Sequence, residues 1–246
     1  MELLKTVDEW SFDIFALAEV TDGRPLFHLG MALFEAYDIA LVLPVDPLVM
    51  GQFLTLIEDS YKKNPYHNST HAADVLHSLH YFLKMLKLGD ILTTKDVFAS
   101  IIAASMHDVD HPGFNNAYMI ATGSQQAIRY NDISVLENYH CSYGWDILIH
   151  SKLFDNIPLD KQRELRTTIT SMVLATDMAN HFEYVAKFKS KVAGTGVDFA
   201  DAKDRQIVLD FAIKCGDINN ASKETSICVK WAMLIMQEFY NQVLTS

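Results

Sequence analysis

The sequence predicts an all-α domain, and three observations carry that prediction. Half of the 246 residues are hydrophobic and 21% are charged, the balance of a folded globular chain. Glycine and proline are sparse, ten and six respectively. They are also clumped, so that the windows 66–88, 90–111, 159–193, 197–215 and 217–246 contain neither. Such stretches favour helices over a hairpin-rich β fold. A chain of this length buries roughly 70–75% of its unfolded surface and needs no disulfide staples.

The first clear element runs from His71 to Lys87, where Val75, Leu76, Leu79, Phe82, Leu83 and Leu86 form a helical stripe. A second begins near Thr94. Thr93 or Thr94 is placed to cap it, and Asp96 suits its first turn. Its near-continuous apolar character predicts burial on most sides. Pro112-Gly113 ends this segment, directly after the polar run His107-Asp108-Val109-Asp110-His111. Further helices are predicted over Asp132–His150, Lys161–Phe188, Asp204–Cys215 and Glu224–Gln242, with 190–203 as the main loop. Connections are short and no repeat or linker interrupts them, so a single domain is expected.

Composition excludes several classes of function. Twenty Lys and Arg against 31 Asp and Glu give a net charge of −11. No basic run is present to track phosphates, so nucleic acid and anionic membrane recede as partners. Three cysteines, odd in number and not in CxxC spacing, read as reduced thiols of an intracellular protein. Charged residues interrupt the first fifteen positions where a secretory peptide would be apolar. The longest apolar run, around Val97–Met106, falls short of the roughly 18 residues of a membrane span. A soluble, cytoplasmic protein is expected.

The ten histidines are where the chemistry lies. His67 and His71 are four apart, the spacing that shares a face on a helix. His107-Asp108 follows an apolar helix, and Asp217 follows another with the small Gly216 before it. Imidazole with carboxylate suits zinc, and aspartate alone suits Mg²⁺ or Mn²⁺. Each motif is weak when taken singly. The run at 107–111 carries more weight, because polar residues ending an apolar helix are costly unless something satisfies them. An EF-hand starting at Asp108 fails, with Pro112 at its fifth position and Met119 where a glutamate belongs. A di-iron bundle fails too, since Glu137–His140 is the only Glu-x-x-His pair.

Five longer strings then coincide: Tyr66-His67-Asn68-Ser69-Thr70-His71-Ala72-Ala73-Asp74-Val75, the His107–Gly113 run, Ser134–His140, Met172–Met178 and Lys214-Cys215-Gly216-Asp217. In order and spacing they resemble the class I cyclic-nucleotide phosphodiesterases, most closely the cAMP-specific type 8 and type 4 groups. The resemblance spans Trp10 to Gln242. It implies a compact multi-helix HD-type phosphohydrolase fold and hydrolysis of 3′,5′-cyclic nucleotides, cAMP favoured and cGMP possible, to 5′-monophosphates. It further implies that His71, His107, Asp108 and Asp217 hold a tight cation, usually zinc. Asp108 would be shared with a second cation, usually Mg²⁺, whose waters are held by a shell including His111, Glu137, Thr176 and Asp177. Two such cations acidify a bridging water and clamp a phosphoryl group. His67 matches the general acid for the leaving O3′, with Glu137 expected to orient or charge it. Tyr66, Met178, Asn220 and Ile235 match positions lining the nucleotide site.

The chain also departs from the pattern. Gly216 and Ala221 stand where the family has alanine and proline. The family's purine-reading glutamine and the phenylalanine opposite Ile235 fall beyond Ser246, so residues 1–246 are expected to form a catalytic domain lacking its last helices. Trp231 reads as core, yet missing helices would leave Trp231, Ile235 and Phe239 open, a patch that favours self-association. The alternative to an active hydrolase is a metal-binding fragment that turns over little and acts by binding or sequestration.

Overall fold

The computed structural model describes residues 2–85, 87–88 and 91–244, and Leu86 of the first predicted stripe lies outside them. Among the described residues the chain is helical throughout, with no strand. Four helices come first: α1 (Ile14–Val20), α2 (Pro25–Ala36), α3 (Ile39–Val42) and α4 (Pro47–Ser60). None of these was singled out in the sequence. Asp13 and Asp46 cap α1 and α4 through their side chains, and proline opens α2 and α4 at the first turn, where its missing N–H costs nothing.

The centre of the molecule is α5 (Ser69–Met85) against α6 (Thr94–Met106). Every residue of α5 from His71 to His80 is buried, and so is every residue of α6 from Asp96 to Met106. Thr93 and Asp96 form a reciprocal capping box at the start of α6, as the sequence suggested. Helix α2 packs on one side of this pair. Short helices α7 (Asn116–Ala121) and α8 (Gln125–Arg129) then lead into α9 (Val135–Ser151). Gly144 of α9 lies against Met106, whose Cε would sit 2.3 Å from a Cβ at that position. A Cβ there would force the Met106 side chain to shift.

The predicted helix over Lys161–Phe188 is two helices: α10 (Leu159–Leu174) and α11 (His181–Ala193). The break has a tertiary cause. The buried Lys214 ammonium donates to the carbonyls of Ala175 and Asp177, both at 3.1 Å, taking acceptors that a continuous helix would use internally. Asp177 then caps the short turn after it, accepting from Ala179 N at 2.8 Å. The following loop is narrower than predicted, because α11 reaches Ala193 and α12 (Ala202–Asp217) starts at Ala202. Helix α13 (Thr225–Leu244) closes the described chain. Trp231 is fully buried against Phe15, whose ring centroid is 4.6 Å away, as its core reading expected and against its place on an open face; Ile235 is half-buried, and Phe239 is exposed. No described helix is long and apolar enough to cross a membrane.

Candidate active site

His67 and His71 do not share a helix face. Asn68 accepts from the N–H groups of Thr70 (2.9 Å) and His71 (3.2 Å), capping α5 between the two histidines. His67 therefore lies before the helix and faces a cleft, whereas His71 is fully buried in its first turn. Helix α6 delivers His107 and Asp108 from its C-terminal end, and α12 delivers Asp217 as its last residue.

These elements converge. Ligand atoms of His71, His107, Asp108 and Asp217 all lie within 4.8 Å of one another. His71 Nε2 is 3.1 Å from Asp217 and 3.4 Å from Asp108, and His107 Nε2 is 3.1 Å from Asp108. Burial opposes charge here, yet the histidines hold both carboxyls below the usual carboxylate range, and Asp108 and Asp217 lift His71 to about 9. Against burial, Asp108 and Asp217 lift His107 well above its ordinary value, and its Nδ1 donates to Ala104 O at 2.9 Å, which leaves Nε2 as the nitrogen facing Asp108. That buried atom has no hydrogen-bond partner, and neither has His140 Nε2. Buried imidazole nitrogens facing two carboxylates, in a two-His, two-Asp donor set, fit a divalent cation.

A second group lies beside the first. Asp108, His111 and His140 also bring ligand atoms within 4.8 Å. His140 Nδ1 donates to Val109 O at 2.7 Å, so its Nε2 points to Asp108, 3.7 Å away. Burial drives His140 down to about 4. The sequence analysis did not place His140 in the site, although its pairing with Glu137 one turn earlier was the available signal. Gly113, at φ +80°, makes the turn after His111 and donates its N–H to His111 Nδ1 at 3.0 Å. Glu137 accepts from Asn116 Nδ2 at 3.0 and 3.2 Å, and burial raises it to about 7. Thr176 is buried with its hydroxyl on Val173 O at 2.8 Å, and Asp177 accepts from Ser134 Oγ at 2.7 Å.

The partner of His67 is Glu238, not Glu137. Glu238 Oε1 lies 2.5 Å from His67 Nδ1, and its Oε2 accepts from the N–H groups of Tyr66 (2.9 Å) and His67 (3.0 Å). Burial pushes the Glu238 carboxyl up, but His67 and these backbone donors hold it below its ordinary value. Glu238 is the only charged residue after Lys230, and that isolation in an otherwise uncharged stretch was the missed signal.

A cleft of about 870 Å³ joins these groups. Asp108, His111 and His140 lie on it with His67, while His71 and His107 sit behind its lining. Tyr66, Met178, Asn220 and Ile235 also line the cleft. The Tyr66 hydroxyl donates to Asn220 Oδ1, and the Tyr66 ring packs 4.6 Å from that of His71. Met178 is 56% exposed, so it is cleft wall and not core.

Comparison with known proteins agrees with this geometry. A family model for 3'5'-cyclic nucleotide phosphodiesterase matches residues 66–245. The chain is 35% identical over 259 residues to the mouse high affinity cAMP-specific and IBMX-insensitive 3',5'-cyclic phosphodiesterase 8A, covering 97% of this chain and 32% of the relative. It is 37% identical over 252 residues to the Drosophila melanogaster phosphodiesterase 8 of the same description, covering 98% and 28%. A dual specificity calcium/calmodulin-dependent phosphodiesterase 1 from the same fly is 35% identical over 246 residues, covering 98% and 30%. The chain thus spans about a third of the length of these curated relatives. With the match extending over most of its length and the His/Asp cluster assembled as described, the chain belongs to the 3'5'-cyclic nucleotide phosphodiesterase family.

Proposed function

We propose that this site hydrolyses 3′,5′-cyclic nucleotides, with cAMP preferred, to nucleoside 5′-monophosphates. The observation that carries the reading is the His67–Glu238 pair facing Asp108 across one cleft, with His71, His107 and Asp217 completing a cation site behind it. Zinc at His71, His107, Asp108 and Asp217, with Mg²⁺ or Mn²⁺ sharing Asp108, would supply charge for the phosphoryl oxygens and an acidified water. The protein's own part is then positional. Glu238 occupies Nδ1 of His67 and leaves Nε2 as the nitrogen that hands a proton to the departing O3′, a contribution of typically 10²–10⁴-fold. His111, Glu137, Thr176 and Asp177 border the cleft as groups for ordered water, and Tyr66, Asn220, Met178 and Ile235 receive the nucleoside. The names of the mouse and fly type 8 relatives, both cAMP-specific, support the substrate preference. The three free cysteines suit a cytoplasmic setting.

The test is 5′-AMP formation from cAMP by this chain in Mg²⁺ with trace Zn²⁺, against Asp217→Asn. Turnover that vanishes in the variant together with bound metal supports the reading. A folded chain that binds metal and shows no turnover refutes it and leaves a binding role.

A further inference from the structure

The segment Val7–Phe12 is fastened to the two elements that carry the nucleotide-facing wall. His77 Nε2 of α5 donates to Val7 O at 3.0 Å, and Phe12 stacks on the His77 ring at 4.8 Å. Between them Trp10 packs on Tyr81 and Phe82 of α5, at 4.9 and 5.6 Å. Its Nε1 reaches across to Ser222 O at 3.0 Å, and its ring carries the Lys223 ammonium 4.3 Å from the centroid. Trp10 is thus the point where the start of the chain grips the turn following Asp217.

From Lys223 a continuous line of contacts runs into the cleft. Lys223 and Asp74 form an ion pair at 3.2 Å, with side chains 1% and 2% exposed. The other Asp74 oxygen accepts from Asn220 Nδ2 at 3.3 Å, and Asn220 Oδ1 accepts from the Tyr66 hydroxyl. An ionised carboxylate only accepts, so Asp74 forces the NH₂ end of Asn220 toward itself and the carbonyl end toward Tyr66. Burial pushes the Asp74 carboxyl up and Lys223 opposes that shift, while the Trp10 face covers the ammonium.

We infer that Trp10, acting through the Lys223–Asp74 pair, is a positioning residue for Asn220, and that the Val7–Phe12 segment is a handle on the nucleotide pocket. The inference rests on the reading that Asn220 faces the nucleotide. Loosening Trp10 frees Lys223 from its ring, relaxes the ion pair and lets the Asn220 amide turn. The hydrogen-bonding edge offered to the substrate then changes, while the cation ligands and His67–Glu238 stay in place.

The experiment compares the full chain with Trp10→Ala and Trp10→Phe. It measures kcat and KM for cAMP, the side-chain amide NMR resonance of Asn220 (assigned by its loss in Asn220→Asp) and the thermal midpoint. Trp10→Ala is expected to raise KM about two- to fivefold, the scale of a partly exposed cation–π contact, with kcat within about twofold. It should also shift the Asn220 resonance, and Trp10→Phe, which keeps a ring over Lys223, should restore both. An unmoved Asn220 resonance or an unchanged KM overturns the inference. So does a joint fall of kcat and KM that follows the thermal midpoint alike in both variants. A wild-type chain without turnover would instead refute the hydrolase reading, and the Asn220 resonance alone would then decide on Trp10.

Discussion

Glu238→Gln is the sharpest probe of the catalytic role proposed for the His67–Glu238 pair. The substitution keeps the shape of the side chain and an oxygen for the N–H groups of Tyr66 and His67, but removes the charge 2.5 Å from His67 Nδ1. Hydrogen bonds to charged groups are worth about 1.5–3 kcal/mol. Glu238 is 3% exposed, so solvent does little to screen the loss. If that energy is spent holding the proton-bearing imidazole, kcat should fall about 10- to 100-fold, at about 1.4 kcal/mol per tenfold. KM should change little and bound metal not at all, because no cation ligand is touched. The assay is 5′-AMP formation at saturating cAMP, with metal content and thermal midpoint measured on the same samples. A folded variant retaining kcat within twofold would refute the role given to Glu238. The acid limb offers a second check. The folded Glu238 carboxyl lies below its ordinary value of 4.5, so its contribution to stability is present above that value and lost as pH falls through the lower folded one. Glu238→Gln should therefore flatten part of the acid unfolding curve.

His67→Ala should bind metal as the wild type does while losing about 10²–10⁴-fold in turnover, and undiminished hydrolysis would remove His67 from the mechanism. Glu58, in the last turn of α4 and buried against the start of α2, accepts from Leu26 N and Phe27 N, and burial lifts it from 4.5 to about 7. A raised folded value means stability is full below pH 4.5 and declines as pH rises toward 7, by on the order of 3 kcal/mol. Glu58→Gln should make urea unfolding flatter between pH 5 and about 8, and an unchanged slope would count against it. Phe98, fully buried between Phe34 and Phe154, should cost about 3–5 kcal/mol on Phe98→Ala by urea denaturation; a cost under about 1 kcal/mol would show that the α6 core collapses around the gap.

The parts of the fold legible in the sequence were those where one local signal sufficed. The stripe from Val75 to Leu83 and the Thr93–Asp96 capping box are periodicity and capping chemistry, and both appear where expected. The opening helices were missed because Pro25 and Pro47 look like breakers when they are first-turn residues. The break at Ala175 was invisible for a different reason. Residues 161–188 are good helix formers, and what ends α10 is an ammonium from Lys214, 39 positions away in sequence. Glu238 was likewise out of reach of spacing arguments, since 171 residues separate it from His67.

Three histidines line the cleft and His107 sits behind it, and their side-chain type says nothing about which does what. The partner of each Nδ1 atom does. His107 and His140 donate from Nδ1 to the carbonyls of Ala104 and Val109, so in both rings Nε2 is the remaining nitrogen, aimed at Asp108. Those two are built to meet a cation. His111 is the reverse case: its Nδ1 accepts from Gly113 N–H, which puts the proton of the neutral ring on Nε2. Such a ring donates to water or to a phosphoryl oxygen and is a poor cation ligand, although it stacks on His67 at 4.0 Å and on His140 at 5.5 Å. Of these four, His67 alone has a carboxylate on Nδ1, which leaves its Nε2 to face the cleft. In the proposed reaction, two carbonyls, one backbone N–H and one glutamate thus give four identical side chains three different parts: two that can meet a cation, one donor and one acid. Three of the four partners are backbone groups placed by the end of α6 and the Gly113 turn, so the division of roles is a property of the fold that residue identities alone could not reveal.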